Sequence, residues 1–246
     1  MQIFEPIIAR LLHFEPIQYI FGHTLWCGLD LKVTPATLIP RPETAELVER
    51  IQNTDRFTDR IQTDNASLRV LDIGTGSGCI AIALKKAHPE WQVTGIDISP
   101  EAIEVARENA RRNNVEVDFQ VADIFDSNEE LVTGKWSNGK WFDIVVSNPP
   151  YICESEKSQM RRNVLDYEPE TALFVPDDDP LKFYRRIAKL FSILSGMDRV
   201  GFLFFEINEA YPKEMEAMLQ EEGYTDIKIT NDIYGKPRII EGRMAQ

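Results

Sequence analysis

Val70-Leu71-Asp72-Ile73-Gly74-Thr75-Gly76-Ser77-Gly78-Cys79 is the stretch whose reading decides the fold. An apolar run of strand character stops at glycines in every second position, and a helical run, Ile80 to Lys86, follows at once. Glycine has no Cβ, so backbone can come close to a ligand there. The N-terminus of the following helix offers N–H groups to a polar or negatively charged group. A tight strand-to-helix turn can use glycine for packing alone, but three alternate glycines after an apolar strand favour a cofactor loop. The dinucleotide fingerprint G-x-G-x-x-G fails, because Cys79 stands where its last glycine belongs.

Working outward, strand patterns fall near Arg69–Ile73, Gln92–Asp97, Glu116–Ala122, Asp143–Ser147, Arg199–Ile207, Thr225–Thr230 and Arg238–Glu241, with helices filling most gaps. That alternation predicts an α/β doubly wound fold: seven strands in a mostly parallel sheet, helices on both faces. Upstream, Ile3, Ile7, Ile8, Leu11 and Leu12 recur at helical spacing, so a short amphipathic helix opens the chain and ends by Pro16. Its apolar stripe wants a partner. Tyr19 to Val33, broken by Gly22 and Gly28, reads as a β-hairpin or extended arm, and a helix starts at Pro42, a residue suited to a first turn. The polar run between Thr54 and Leu68 reads as a solvated connection. We expect residues 1–36 to form an N-terminal helix-and-hairpin unit and residues 37–246 the main domain.

Composition narrows the function. At 246 residues and 43% hydrophobic content, one principal core is the default. A net charge of −13, from 40 acidic against 27 basic residues, repels a phosphate backbone unless the basic residues gather on one face, so nucleic acid is a disfavoured partner. Cys27, Cys79 and Cys153 form no Cys-x-x-Cys pair, and His13, His23 and His88 lie far apart. We therefore expect neither a disulfide framework nor a metal site, and a reducing cytoplasm as the compartment. The apolar stretch from Met1 to Leu12 is interrupted by charge and far shorter than the roughly 20 residues of a membrane span, so neither anchor nor signal peptide is expected.

Two further strand ends carry chemistry. Asp97 closes the second strand of the main domain, where a carboxylate could accept both ribose hydroxyls of an adenosine group, or merely cap the next helix, a role open equally to Ser99. After the third strand come Asp123, able to accept from an adenine amino group, and Ile124 and Phe125, able to cover the ring. In open α/β sheets ligands bind beyond the carboxyl ends of the strands, which is where these residues fall. The apolar strand Asp143-Ile144-Val145-Val146-Ser147 then stops at Asn148-Pro149-Pro150-Tyr151. Two prolines make the segment rigid and offer no backbone donors. The Asn148 side-chain oxygen and the Pro149 carbonyl are left as two acceptors for a planar N–H₂ group, with the Tyr151 ring as a stacking face. A mere turn explains this constellation less well than a catalytic grip on a nitrogen does.

With Glu15-Pro16-Ile17-Gln18-Tyr19-Ile20-Phe21-Gly22, Leu38-Ile39-Pro40-Arg41-Pro42-Glu43-Thr44, the Gly74 loop, Asn148 to Tyr151 and Tyr167-Glu168-Pro169, the sequence resembles a known family over nearly its whole length. These are the class I methyltransferases that modify the glutamine of the Gly-Gly-Gln loop in peptide chain release factors. The Asn-Pro-Pro-Tyr element is shared with adenine-N6 methyltransferases of DNA and some RNA, whereas Ile-Pro-Arg-Pro-Glu-Thr is much more particular to the glutamine enzymes. The resemblance implies a Rossmann-like sheet, S-adenosyl-L-methionine as methyl donor and S-adenosyl-L-homocysteine as product. It also implies a release factor as protein partner; neither it nor the residues set the oligomeric state, for which a monomer is the expectation.

It further implies that Gly74, Thr75, Gly76, Ser77, Gly78, Asp97, Ile124 and Asn148 contact the cofactor. Asn148 to Tyr151 are implied to hold the glutamine, and Arg41 and Glu43 to support the methionine end from behind. Family members usually carry an N-terminal helical domain, of which this sequence matches only the final helix. Val175-Pro176-Asp177-Asp178-Asp179-Pro180 stands where many relatives have a glycine-rich stretch. An adenine-N6 methyltransferase, a glutamine methyltransferase of a ribosomal protein and a non-catalytic cofactor-binding protein stay open as alternatives.

Overall fold

A computed structural model describes residues 4–54, 67–126, 141–194 and 200–244. Most of the connection expected between Thr54 and Leu68 lies outside them. In chain order the elements that place the site begin with α1 (Phe4–Leu12), α2 (Ile17–Phe21), β1 (His23–Trp26), β2 (Leu29–Lys32) and α3 (Pro42–Gln52). The glycine turn joins β3 (Arg69–Ile73) to α4 (Cys79–Ala87); β4 (Gln92–Asp97), α5 (Pro100–Arg112), β5 (Asp118–Val121) and β6 (Ile144–Ser147) follow. Beyond the Asn-Pro-Pro-Tyr segment lie the short β7 (Ile152–Cys153) and β8 (Phe174–Val175), then α6 (Lys182–Leu194), β9 (Gly201–Glu206), α7 (Pro212–Glu221), β10 (Tyr224–Asn231) and β11 (Pro237–Met244).

Seven strands form one sheet in the order β10-β11-β9-β6-β3-β4-β5. β6, β3, β4 and β5 run parallel to one another and to β9, and β11 alone is reversed, antiparallel to both β9 and β10. The chain winds one way from β3 through β4 to β5, then returns to β6 on the other side of β3. The β3/β6 boundary is thus a switch point, where two neighbouring turns part and leave a crevice at the strand ends. Register sets those ends level: Ile73 pairs with Ser147, and the Ser147 hydroxyl donates to the Ile73 carbonyl at 2.6 Å.

Both faces of the sheet are covered, as apolar β3 and β9 demand. One layer packs Leu47, Ile51, Ile80 and Phe119 against Val70 and Phe204; the other packs Tyr184, Phe191 and Met215 against Leu71 and Leu203. The N-terminal hairpin shares the first layer, with Trp26, Leu29 and Leu31 buried in it, and Asn109 of α5 ties β2 down by accepting from the Lys32 N–H at 2.6 Å.

The hairpin is shorter than expected. Tyr19 to Phe21 belong to a turn of helix, because Pro16 precedes it and Gly22, at φ 73°, closes it in the left-handed region. Pro16 therefore leads into a second short helix, while α1 itself ends at Leu12. No residue of α1 is buried, and Phe4, Ile8, Leu11 and Leu12 are exposed. No described helix is long and apolar enough to cross a membrane.

Candidate active site

The glycine turn is held by its own backbone. Gly74, Gly76 and Gly78 all have positive φ, which is why glycine recurs at every second position. The Gly74 and Thr75 N–H groups donate to the Ile96 carbonyl, Gly78 N–H donates to Thr75, and Gly76 N–H donates to the Asp97 carboxylate at 2.9 Å. Most of the turn's donors are thus spent within the protein. Its contribution to a ligand is room: a Cβ on Gly74 would meet nothing, and one on Gly76 would only graze the Gly74 carbonyl at 4.0 Å.

Gly78 differs. A Cβ there would press to 3.0 Å on the Phe119 ring, so this glycine serves the packing of α4 on the sheet. Thr75 also faces inward, its hydroxyl donating to Asp72 at 2.6 Å, and neither Thr75 nor Gly78 lines the crevice.

Asp72 is fully buried. It accepts from Thr75 and from the Ala81 N–H, yet among the described residues its Oδ1 has no partner, and burial pushes its pKa up to about 7. Asp97 is the better-placed carboxylate for a ligand. Its two oxygens accept from Gly76 and Ser99 N–H groups; burial raises its pKa, while backbone donors oppose the rise. Ser99, not Asp97, caps α5, accepting from the Ala102 N–H at 3.1 Å. The capping role is therefore taken, and Asp97 stands on the wall of the crevice.

The crevice has two arms that meet at Gly74 and Asp97. The arm toward β5, about 270 Å³, is walled by Asp123, Ile124, Phe125, Lys182 and Phe183. Phe125 is 40% exposed, with Phe183 edge-on at 5.3 Å and the Lys182 ammonium 5.0 Å from its ring centre. Asp123 is exposed and accepts from the Phe125 N–H, fixing that ring's approach. The other arm, about 100 Å³, is walled by Thr37, Arg41, Thr44, Gly76, Ser77 and Asn148.

Beyond Asn148 lies a third hollow of about 260 Å³, lined by Tyr151, Ile152, Met160, Val164 and Leu173, with Leu38, Arg41, Asn148 and Ala172 shared. Asn148, with Leu38, Arg41 and Ala172, thus stands in the partition between the crevice and this largely apolar hollow. Among the described residues no hydrogen bond is made to the Asn148 side-chain oxygen or to the Pro149 carbonyl. The Tyr151 hydroxyl donates to Glu206 at 3.1 Å, and burial beside that carboxylate holds the phenol pKa far above its usual value, so it stays a donor.

Several residues that shape these walls went unassigned in sequence. Glu168 is buried and pairs with Arg41 at 2.6 Å while accepting from the Ile39 N–H, which pins the Leu38–Thr44 segment beside the partition. Glu43 lines none of the three spaces. Glu206 and Thr44 stand behind Asn148, and Lys182 and Phe183 close the outer arm. The available signal was a carboxylate ending the otherwise apolar strand Gly201–Glu206.

A doubly wound sheet with a glycine turn, a carboxylate at the next strand end and an Asn-Pro-Pro-Tyr grip across the switch point is a class I methyltransferase, and residues 64–225 match a methyltransferase domain. The chain is 48% identical over 236 residues to the release factor glutamine methyltransferase of Bacteroides thetaiotaomicron, covering 96% of this chain and 78% of that protein. It is 42% identical over 237 residues to that of Flavobacterium psychrophilum, with 96% and 78% covered. It belongs to the release factor glutamine methyltransferase family. In fold it is also similar to the N-terminal domain of human METTL16 in complex with SAH, at TM-score 0.61 and 17% identity over 98% of this chain and 82% of that one.

Proposed function

We propose that this chain transfers a methyl group from S-adenosyl-L-methionine to the side-chain amide nitrogen of a glutamine, that of the Gly-Gly-Gln loop of a peptide chain release factor, leaving S-adenosyl-L-homocysteine. The observation that carries this reading is the place of Asn148, shared between the crevice and an apolar hollow, with its own oxygen and the Pro149 carbonyl both without a hydrogen bond among the described residues. The crevice suits the donor. The open space at Gly74 and Gly76 is a cradle that any side chain would fill, Asp97 is set to accept from ribose hydroxyls, and Asp123, Ile124 and Phe125 offer an edge and a cover for adenine.

When bound, the cofactor supplies an electrophilic methyl group on a sulfonium sulfur. The protein must supply orientation, because a glutamine amide nitrogen has its lone pair delocalised into the carbonyl and is a poor nucleophile. The hollow's Leu38, Ile152, Val164 and Leu173 exclude water, Tyr151 stacks on the flat amide, and Asn148 and Pro149 each accept one N–H. As the new N–C bond forms, positive charge grows on the nitrogen, and the two oxygens are already aimed at it. One N–H proton is then lost to solvent.

The same reading assigns residues 37–246 to methyl transfer and residues 1–36 to substrate recognition, an assignment supported by the exposed Phe4, Ile8, Leu11 and Leu12. It places the enzyme in the cytoplasm, where release factors act. The test is to incubate the chain with methyl-labelled cofactor and a release factor and map the added mass. Label on the Gly-Gly-Gln glutamine is expected; label in DNA, RNA or a ribosomal protein instead would overturn the assignment.

A further inference from the structure

Asn148 has an amide whose two ends are nearly the same shape, and only one end can serve. If the oxygen faces the hollow, the segment accepts an N–H₂ group; if the amide is turned over, it presents donors to a donor and repels it. Something must hold the amide one way. Asn148 Nδ2 lies 3.1 Å from the Thr44 hydroxyl oxygen, and that hydroxyl lies 2.6 Å from a Glu206 carboxylate oxygen. Thr44 is 2% exposed and Glu206 1%, so water does not take either place.

We propose that Thr44 is a positioning residue that sets which face of the Asn148 amide meets the substrate nitrogen, with Glu206 dictating the direction of the relay. Glu206 receives two hydroxyls, Thr44 on one oxygen and Tyr151 on the other at 3.1 Å, and an ionised carboxylate only accepts. Thr44 has a single hydroxyl proton, and it is spent on Glu206. What remains at Thr44 Oγ1 is lone pairs, which bind an N–H₂ and reject a carbonyl. The Asn148 nitrogen is therefore drawn toward Thr44, and its oxygen is turned away from Thr44, toward the hollow.

The same carboxylate seats the Tyr151 ring, so one buried group sets both side chains of the grip. Burial raises the Glu206 pKa, opposed in part by the Thr44 and Tyr151 hydroxyls and the nearby Arg238 charge; the acceptor at the root of the relay is given by the geometry, one hydroxyl on each carboxylate oxygen. The two prolines stiffen the backbone between Asn148 and Tyr151 but have no hold on a side-chain torsion, so the relay supplies what they lack.

The inference rests on the glutamine methyltransferase reading, and its test has one arm that does not. Thr44→Val keeps the shape and removes the hydroxyl; Thr44→Ser keeps the hydroxyl. In ¹⁵N spectra of the full chain, with Asn148→Asp assigning the signal, the Asn148 side-chain N–H₂ is expected to exchange slowly in the native protein and in Thr44→Ser, and fast in Thr44→Val. With cofactor and release factor, Thr44→Val is expected to lower kcat roughly tenfold to a hundredfold, leave cofactor Kd within about threefold, and be rescued by Thr44→Ser.

Unchanged amide exchange in Thr44→Val overturns the relay whatever the substrate proves to be. Full turnover by Thr44→Val, or an equal loss of cofactor affinity and kcat, overturns its role in positioning. If the native enzyme leaves the release factor unmethylated, the functional reading fails, and the exchange arm alone still decides the relay.

Discussion

The two halves of the site are built by opposite means. The cofactor side is mostly a backbone object: β3, the glycine turn and α4 are consecutive, the turn's hydrogen bonds run largely to backbone groups of the turn and of the adjacent β4 end, with the Asp97 carboxylate and the Asn109 side chain completing them, and what it offers is empty space. The acceptor side is assembled from afar. Asn148 is held by Thr44 from 104 positions away, Thr44 by Glu206 from 162, and the Tyr151 carbonyl by the Asn208 side chain from 57. A crevice for a flexible, many-atom cofactor tolerates a shape made by backbone. A grip on a single nitrogen needs side-chain atoms fixed to a fraction of an ångström, and only long-range packing fixes them so well.

If that division holds, damage to one half should spare the other. The largest effect is expected for Asn148→Ala, a loss of methyl transfer of roughly a thousandfold or more with cofactor Kd little changed, read by a transfer assay beside calorimetry. Near-normal turnover would break the comparison at once. Asp97→Ala should do the reverse. Removing an acceptor on the crevice wall is expected to weaken cofactor binding by about 1.5–3 kcal/mol, roughly tenfold to a hundredfold, with kcat at saturating cofactor far less affected.

Asp72 sharpens the cofactor side. Its pKa rises on folding from 3.8 to about 7, so its contribution to stability is fully present below about pH 4 and lost as pH climbs through about 7. Urea unfolding of native and Asp72→Asn protein at pH 5 and pH 8 should show the native chain losing more stability over that interval; parallel losses would discount the buried carboxylate. The smallest effect is expected at Lys182. Its ammonium sits over the exposed Phe125 ring, and Lys182→Ala should weaken cofactor binding by no more than about fivefold, the ceiling set by a cation–π contact worth about 0.5–1 kcal/mol at an exposed site.

Legibility followed the same line. β3 and β4 fall where their apolar runs placed them, and α3 begins at Pro42 as its first-turn chemistry required. The misreading at Tyr19 to Phe21 has a local cause: aromatic and β-branched residues have strand propensity, but a five-residue segment between Pro16 and a left-handed Gly22 closes into a helical turn that buries Tyr19 against Val33 and Ile39. Ser99 and Asp97 compete for one cap in sequence, and the distance to Gly76 settles which of them faces the crevice. Thr44 and Glu168 lie in motif segments that give neither a role, and Glu206 shows itself only as a carboxylate ending an apolar strand. Each owes its role to a partner on another segment, and burial of a carboxylate is a property of the surrounding packing.

By itself, then, the sequence determined the sheet, the glycine turn and the identity of the atoms able to grip a nitrogen, because periodicity, backbone freedom and donor–acceptor inventory are local properties of residues. Only the tertiary structure decided which way those atoms face. The β3/β6 switch point brings the crevice and the apolar hollow to either side of Asn148, and a buried carboxylate on β9, reaching through Thr44, gives that side chain its direction. The orientation of an amide is set by the hydrogen-bond partners that surround it, and those partners come together only when the chain has folded.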